Sequence, residues 1–134
     1  MSPAHRRTAF AILALALGGF AIGTTEFVTM GLLPQIADGT DVDIATAGHY
    51  VSAYALGVVV GAPLIAVMAA KVPRKGLLMA LMGFFAVAHV GIAFADTYPT
   101  VMGARFLAGI PHGAFFGIGS VVAASLVSHR RRFC

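Results

Sequence analysis

Two charged side chains, Glu26 and Arg105, lie inside long apolar stretches and offer the clearest chemistry in the sequence. A charge within a membrane span costs about 2.5–3.5 kcal/mol on insertion scales, so such a residue usually faces a partner or a polar cavity. A carboxylate there can bind and release protons, and an arginine can tune that exchange or hold a substrate. The structural alternatives are a buried ion pair, or an Arg105 side chain that extends to the membrane surface.

A histidine follows Arg105 at a spacing that suits cooperation. His112 lies seven residues after Arg105, which is about two turns of an α-helix, so both side chains leave the helix on one face. Because histidine exchanges protons near neutral pH, His112 is a candidate proton relay. The alternative is a neutral His112 that only hydrogen-bonds a neighbouring helix.

The composition indicates a membrane protein. Hydrophobic residues make up 59% of the 134 residues and charged residues 10%, whereas soluble domains carry about a quarter charged residues. The net charge of +4 does not indicate a nucleic-acid partner, because the basic residues flank apolar blocks. The sequence shows no metal-ligand spacing, nucleophile elbow or phosphate loop, and its one cysteine is Cys134. We therefore expect no enzyme, no cofactor and no metal site.

Four apolar blocks must position the candidate residues. They cover residues 8–37, 45–70, 76–95 and 101–127, and each reaches the ~20 residues that a helix needs to cross a bilayer. Because a backbone in lipid must satisfy its own hydrogen bonds, these blocks predict helices. The first block is too long for the apolar region of a secretory signal, which spans about 7–15 residues. The sequence thus predicts an all-α membrane protein with four transmembrane helices in a single membrane domain over residues 1–134.

Charges in the connecting segments predict the orientation. Basic residues precede the first block, separate the second from the third and follow the fourth, while acidic residues occupy the other connections. By the positive-inside rule the basic side faces the cytoplasm, so we expect both termini there and a multi-pass protein of the cell membrane. The basic residues are Arg6, Arg7, Lys71, Arg74, Lys75, Arg130, Arg131 and Arg132, and the acidic residues are Asp38, Asp41, Asp43 and Asp96.

Glycines and prolines inside the predicted spans indicate close packing and bends. Glycines four residues apart let two helix backbones approach each other, although this spacing is common in any glycine-rich membrane helix. A proline removes a backbone donor and bends a helix, and such bends can line a cavity. The glycines are Gly57, Gly61, Gly109, Gly113 and Gly117, and the prolines are Pro34, Pro63 and Pro111.

Two motifs carry a family resemblance. Residues 23–28 (Gly-Thr-Thr-Glu-Phe-Val) and 31–37 (Gly-Leu-Leu-Pro-Gln-Ile-Ala) resemble the first helix of major facilitator superfamily exporters in the drug:proton antiporter branch. That branch includes sugar-efflux, purine-efflux and chloramphenicol-resistance members. Residues 105–109 (Arg-Phe-Leu-Ala-Gly) resemble the R-x-x-q-G motif of its fourth helix. The resemblance implies a coupling role for Arg105 and a role in protonation or substrate binding for Glu26.

The loop after the second predicted span matches the same family in part. The family pattern G-x-L-a-D-r-x-G-r-[rk] aligns with residues 66–75, where Lys71, Arg74 and Lys75 match the basic positions of a cytoplasmic gating loop. Ala70 stands where the pattern has its aspartate. The gating interactions that the family pattern assigns to this aspartate therefore have no matching residue in this sequence.

The resemblance also sets the expected function. Members have twelve helices in two halves with the substrate site between them, so we expect this chain to correspond to the first four helices of the N-terminal half, truncated relative to a twelve-helix transporter. The expected activity is proton-coupled efflux of a small organic molecule such as a drug, sugar or purine, with lipid, protons and the missing half as partners. Two alternatives stay open: a free-standing four-helix exporter that self-associates as a homodimer, and a membrane interaction subunit without transport activity.

Overall fold

The chain folds into helices joined by short connections, as seen in a computed structural model that describes residues 3–131, with side chains through residue 128. Four helices are long and apolar enough to cross a membrane, which confirms the predicted all-α membrane fold. Arg132 and Cys134 lie outside the described residues, as do the side chains of Arg130 and Arg131. The helices are α1 (Pro3–Gly31), α2 (Leu33–Gly39), α3 (Ile44–Ala69), α4 (Arg74–Ala93) and α5 (Tyr98–Arg131).

The first predicted block contains two helices instead of one. α1 ends at Gly31, and the short α2 begins after Leu32 with Pro34 in its first turn. Proline has no N–H to donate to the carbonyl four residues earlier, and its ring crowds that carbonyl. The helix therefore breaks where the sequence predicted only a bend. The other three long helices begin one to three residues earlier than their predicted blocks.

The connection between α2 and α3 contains the residue that starts α3. The side chain of Asp43 accepts a hydrogen bond from the Thr46 N–H at 2.7 Å, which satisfies one of the unpaired donors at a helix start. The hydrogen bonds from Thr46 hold the pKa of Asp43 below its usual value. Asp41 has a φ of 52°, in the left-handed region that aspartate tolerates better than most residues.

α3 and α5 form the central helix pair of the bundle. α4 packs against α5, and α1 contacts α5 less extensively than α4 does. Pro63 and Pro111 lie inside α3 and α5, which both continue past them. α1 leaves large side chains such as Phe20 and Phe27 exposed on its outer face, as suits a helix surrounded by lipid.

Candidate functional site

Four polar side chains from three helices meet in what we call the polar cluster: Glu26 of α1, Tyr54 of α3, and Arg105 and His112 of α5. His112 Nδ1 lies 2.9 Å from Tyr54 Oη and 3.9 Å from Glu26 Oε2. The guanidinium carbon of Arg105 lies 4.4 Å from the centre of the Tyr54 ring. The structure thus brings all three candidate residues of the sequence analysis into one cluster, with Tyr54 between them.

Arg105 is almost fully enclosed by protein. The residue is 3% exposed, and the Nε of its side chain has no hydrogen-bond partner among the described atoms. A buried cation needs compensation, and the face of the Tyr54 ring supplies part of it through a cation–π contact. Within the described side chains, Glu26 makes its ion pair with His112 and not with Arg105. Arg105 also does not extend to the surface.

Glu26 and His112 form the acid–base pair of the cluster. The Glu26 side chain is 38% exposed and that of His112 is 16% exposed, so the carboxylate is the more accessible end of the pair. The 3.9 Å separation is longer than a hydrogen bond, but it is short enough for strong attraction when the histidine is protonated. Such a pair can accept a proton and share its charge between two helices.

A cavity adjoins Arg105 on the side of the connection between α2 and α3. Its volume is about 210 Å³, and its lining includes Arg105, Thr29, Thr40, Tyr50 and Val101. Sites for drug-sized ligands usually measure about 300–1,000 Å³. This cavity therefore accommodates water or one small group of a substrate beside the guanidinium, and not a whole drug-sized molecule.

Glycines allow α3 and α5 to approach closely enough for the polar cluster to form. An added Cβ at Gly57 would overlap the carbonyl oxygen of Phe106, and one at Gly109 would overlap the carbonyl oxygen of Tyr54. An added Cβ at Gly61 would lie 2.6 Å from the Cα of Ile110. These glycines permit backbone contact that any side chain would prevent.

The other two glycines named from the sequence differ from each other. A Cβ on Gly113 would lie 3.0 Å from the Cβ of Ala62 on α3, whereas a Cβ on Gly117 would meet nothing within 4 Å. The contact between α3 and α5 therefore includes Gly113, and Gly117 lies beyond it.

The basic residues in the connection after α3 and at the start of α4 lie apart from the polar cluster. Lys71, Arg74 and Lys75 are all exposed, and within the described side chains none of them forms a salt bridge. α3 ends at Ala69 and α4 begins after Pro73. The sequence placed all three cations in a loop, whereas α4 begins at Arg74, so Arg74 and Lys75 lie in its first turn and only Lys71 lies in the connection.

Other polar groups in the spans bond to their own helices. Thr24 and Thr25, which flank Glu26, each donate to a carbonyl three or four residues earlier at 2.8 Å. His89 of α4 bonds through Nδ1 to a carbonyl of its own helix at 2.9 Å. Among the described residues, no three His, Cys, Asp or Glu side chains lie close enough to hold a metal ion. The cluster itself contains a carboxylate, an imidazole, a phenol and a guanidinium, which are groups that can exchange protons or pair charges.

The sequence analysis missed Tyr54. A usable signal was present, because a tyrosine in the middle of an apolar span carries a hydroxyl that needs a partner once buried. Tyr54 is 2% exposed, and its hydroxyl contacts His112 while its ring contacts Arg105. The sequence did not show which helix would supply that partner.

Comparisons with known proteins agree on the family. Residues 15–133 match the Major Facilitator Superfamily. The chain is 51% identical over 123 residues to the inner membrane transport protein YdhP of Escherichia coli strain K12, covering 92% of this chain and 32% of that protein. It is 42% identical over 132 residues to the MFS-type transporter YtbD of Bacillus subtilis strain 168, covering 98% and 33% of the two chains. No solved structure gives a significant match.

A third relative carries a resistance function in its name. The chloramphenicol resistance protein of Streptomyces lividans is 38% identical over 113 residues, which cover 84% of this chain and 29% of that protein. The chain thus spans about a third of the length of the curated relatives it matches. Since the family match covers nearly all of the chain, including every member of the polar cluster, this chain belongs to the major facilitator superfamily.

Proposed function

We propose that this chain supplies four helices of a transporter that exports a small organic molecule in exchange for protons. The observation that carries the proposal is the polar cluster, in which a carboxylate, a histidine and a buried arginine meet within membrane-spanning helices. Ionisable groups inside spans are costly and commonly mark proton or substrate routes. A relative named for chloramphenicol resistance supports a drug-like molecule as the cargo, with sugars and purines as the other candidates.

In this proposal Glu26 is the proton-binding group. Its carboxylate is the most accessible member of the cluster, and ionised Glu26 attracts both protonated His112 and the fixed charge of Arg105. A proton on Glu26 removes that attraction and leaves the arginine charge compensated mainly by the Tyr54 ring. Proton binding therefore changes the relative stability of any two conformations that differ in the distance of Glu26 from the two cations.

We further propose that the protein crosses the cell membrane several times with both termini in the cytoplasm. The positive-inside rule supports this orientation, as does a relative named as an inner membrane protein. The exposed cations Lys71, Arg74 and Lys75 then form a cytoplasmic gating loop that pairs with acidic groups elsewhere in the assembled transporter.

The proposed partners are lipid, protons, the exported molecule and further membrane helices, either from the rest of a transporter or from a second copy. The sparse contacts of α1 with the other helices and the exposed Phe20 and Phe27 support such association. We propose neither an enzymatic activity nor a nucleic-acid partner, since the relatives are named as transporters.

The test is proton-driven efflux of chloramphenicol from cells that express the complete gene product. We expect Glu26→Gln to abolish the dependence of efflux on the proton gradient, because glutamine keeps the shape of the side chain and removes the titrating group. We expect His112→Gln to weaken it. The matched control is His49→Gln, since His49 also bonds a tyrosine hydroxyl, that of Tyr98 at 3.0 Å, but lies outside the cluster.

Two outcomes decide the proposal. Loss of proton-driven efflux in Glu26→Gln with normal efflux in His49→Gln supports it. Unchanged proton-driven efflux in both Glu26→Gln and Arg105→Lys, at equal membrane expression, contradicts the coupling role of the cluster.

A further inference from the structure

One ring nitrogen of His112 faces two partners. Nδ1 lies 2.9 Å from Tyr54 Oη and 3.9 Å from Glu26 Oε2. A neutral imidazole nitrogen carries either one proton or one lone pair. His112 Nδ1 can therefore accept a hydrogen bond or donate one. It cannot accept from the hydroxyl and carry a proton toward the carboxylate at the same time.

Tyr54 is held firmly beside that nitrogen. Its residue is 2% exposed, its ring lies 5.5 Å from the His112 ring in an edge contact, and the Arg105 guanidinium covers one face of it. Among the described residues, the only hydrogen-bond partner of its hydroxyl is His112. The hydroxyl thus has a fixed position and a single direction in which to donate.

We propose that Tyr54 is a positioning residue that sets the tautomer of His112. The Tyr54 hydroxyl donates to Nδ1, which keeps the neutral imidazole proton on Nε2. A proton that neutral His112 binds occupies Nδ1 and ends the hydrogen bond from Tyr54, and the resulting imidazolium is attracted to the Glu26 carboxylate 3.9 Å away. Tyr54 keeps its own proton throughout. The role of this exchange in transport rests on the proposed function, whereas the tautomer itself does not.

The surrounding groups favour this direction of donation. If neutral His112 donated from Nδ1 to Tyr54, the Tyr54 O–H would need another acceptor, and the described residues provide none. The other ionisable groups that face the pair are Glu26 from α1 and Arg105 from α5, and the nearest one on α4 is linked to the pair only through Arg105. His89 interacts electrostatically with Arg105, but it bonds the carbonyl of Phe85. Within the described side chains, Glu26 thus supplies the one carboxylate that pairs with a protonated His112.

The experiment measures the His112 tautomer by ¹⁵N NMR on the whole chain in lipid nanodiscs. The sequence holds five histidines, and a sample of His112→Gln assigns the relevant signals. In the unsubstituted chain with neutral His112, we expect the proton on Nε2 and an Nδ1 that accepts a hydrogen bond. In Tyr54→Phe the ring under Arg105 remains and the hydroxyl is gone, so we expect the tautomer ratio to change by about two- to tenfold, the equivalent of one net hydrogen bond.

The matched control is Tyr50→Phe. Tyr50 lies one helical turn before Tyr54 and is equally buried, but its hydroxyl donates to Thr40 at 2.9 Å. We expect this substitution to leave the His112 signals unchanged. An equal effect of Tyr50→Phe and Tyr54→Phe would overturn the proposal, because the change would then reflect general loosening of α3.

The unsubstituted chain provides a test that does not depend on the folding of any variant. Neutral His112 with its proton on Nδ1 would overturn the proposal. Efflux that does not depend on Glu26, combined with the expected tautomer and its change in Tyr54→Phe, would refute the proposed function and leave the role of Tyr54 intact.

Discussion

The closest contact between α3 and α5 leads to a direct prediction about stability. In Gly109→Ala the new methyl group would overlap the carbonyl oxygen of Tyr54 and lie 3.1 Å from the Cα of Gly57. Both neighbours are backbone atoms, so no side-chain rotation can relieve the overlap. The two helices must separate, and because Tyr54 itself is displaced, the separation also disturbs its contacts with Arg105 and His112.

The loss of stability in Gly109→Ala can be estimated from the cost of overpacking a rigid contact. Adding a carbon to a tightly packed site costs about 1–3 kcal/mol. Alanine also favours a helix over glycine by up to about 1 kcal/mol, and this gain must be subtracted. Gly117→Ala on the same helix measures this gain alone, because a Cβ there meets nothing within 4 Å. We therefore expect Gly109→Ala to be less stable than Gly117→Ala by about 1–3 kcal/mol.

The assay is the free energy of unfolding of each variant in mixed micelles, followed by helix content as the denaturing detergent is increased. A difference of the expected size changes the unfolding equilibrium constant by roughly five- to 150-fold. Gly57→Ala should behave like Gly109→Ala, since its methyl group would overlap the Phe106 carbonyl. Equal stability of Gly109→Ala and Gly117→Ala would refute the tight backbone contact.

Three further predictions concern the ends of the helices. Thr46 lowers the pKa of Asp43 in the folded chain. The carboxylate therefore stabilises the fold above the ordinary aspartate pKa, and this contribution is lost as the pH falls through the lowered value. Asp43→Asn should remove that part of the pH dependence of unfolding. Pro34→Ala restores a backbone donor, so α1 and α2 should join, and amide hydrogen exchange should slow at residues 32 and 33, which carry an amide hydrogen in both chains; unchanged exchange there would mean that Pro34 does not cause the break. With Cys134 replaced by serine, an impermeant thiol reagent should label Asp41→Cys in intact cells and Lys71→Cys only in inverted vesicles, and the reverse pattern would contradict the orientation.

The number and type of the long helices were readable from the sequence because the bilayer imposes a simple length requirement. An apolar block of ~20 residues must satisfy its backbone internally, and a helix does so without any partner. The break between α1 and α2 was harder to predict. Prolines occur in three of the predicted spans, but only Pro34 coincides with a break, which separates α1 from α2. Pro63 and Pro111 lie inside helices that continue past them.

The candidate site was readable in part. The positions of Glu26, Arg105 and His112 inside apolar blocks marked them as costly and so worth attention, and helical periodicity placed Arg105 and His112 on one face. Which groups they contact depends on the packing of separate helices. The sequence left a pairing of Glu26 with Arg105 open, whereas in the structure Glu26 pairs with His112 and Arg105 stacks on Tyr54.

The most direct test of the pairing of Glu26 with His112 is the carboxyl signal of Glu26 itself. Glu26 is the only glutamate in the sequence, so a chain labelled with ¹³C-glutamate and placed in lipid nanodiscs gives a single carboxyl signal. Because the Glu26 carboxylate lies 3.9 Å from His112 Nδ1, we predict that His112→Gln shifts this carboxyl signal, whereas His49→Gln leaves it in place. A carboxyl signal that His112→Gln leaves in place, or that His49→Gln shifts equally, would contradict the account.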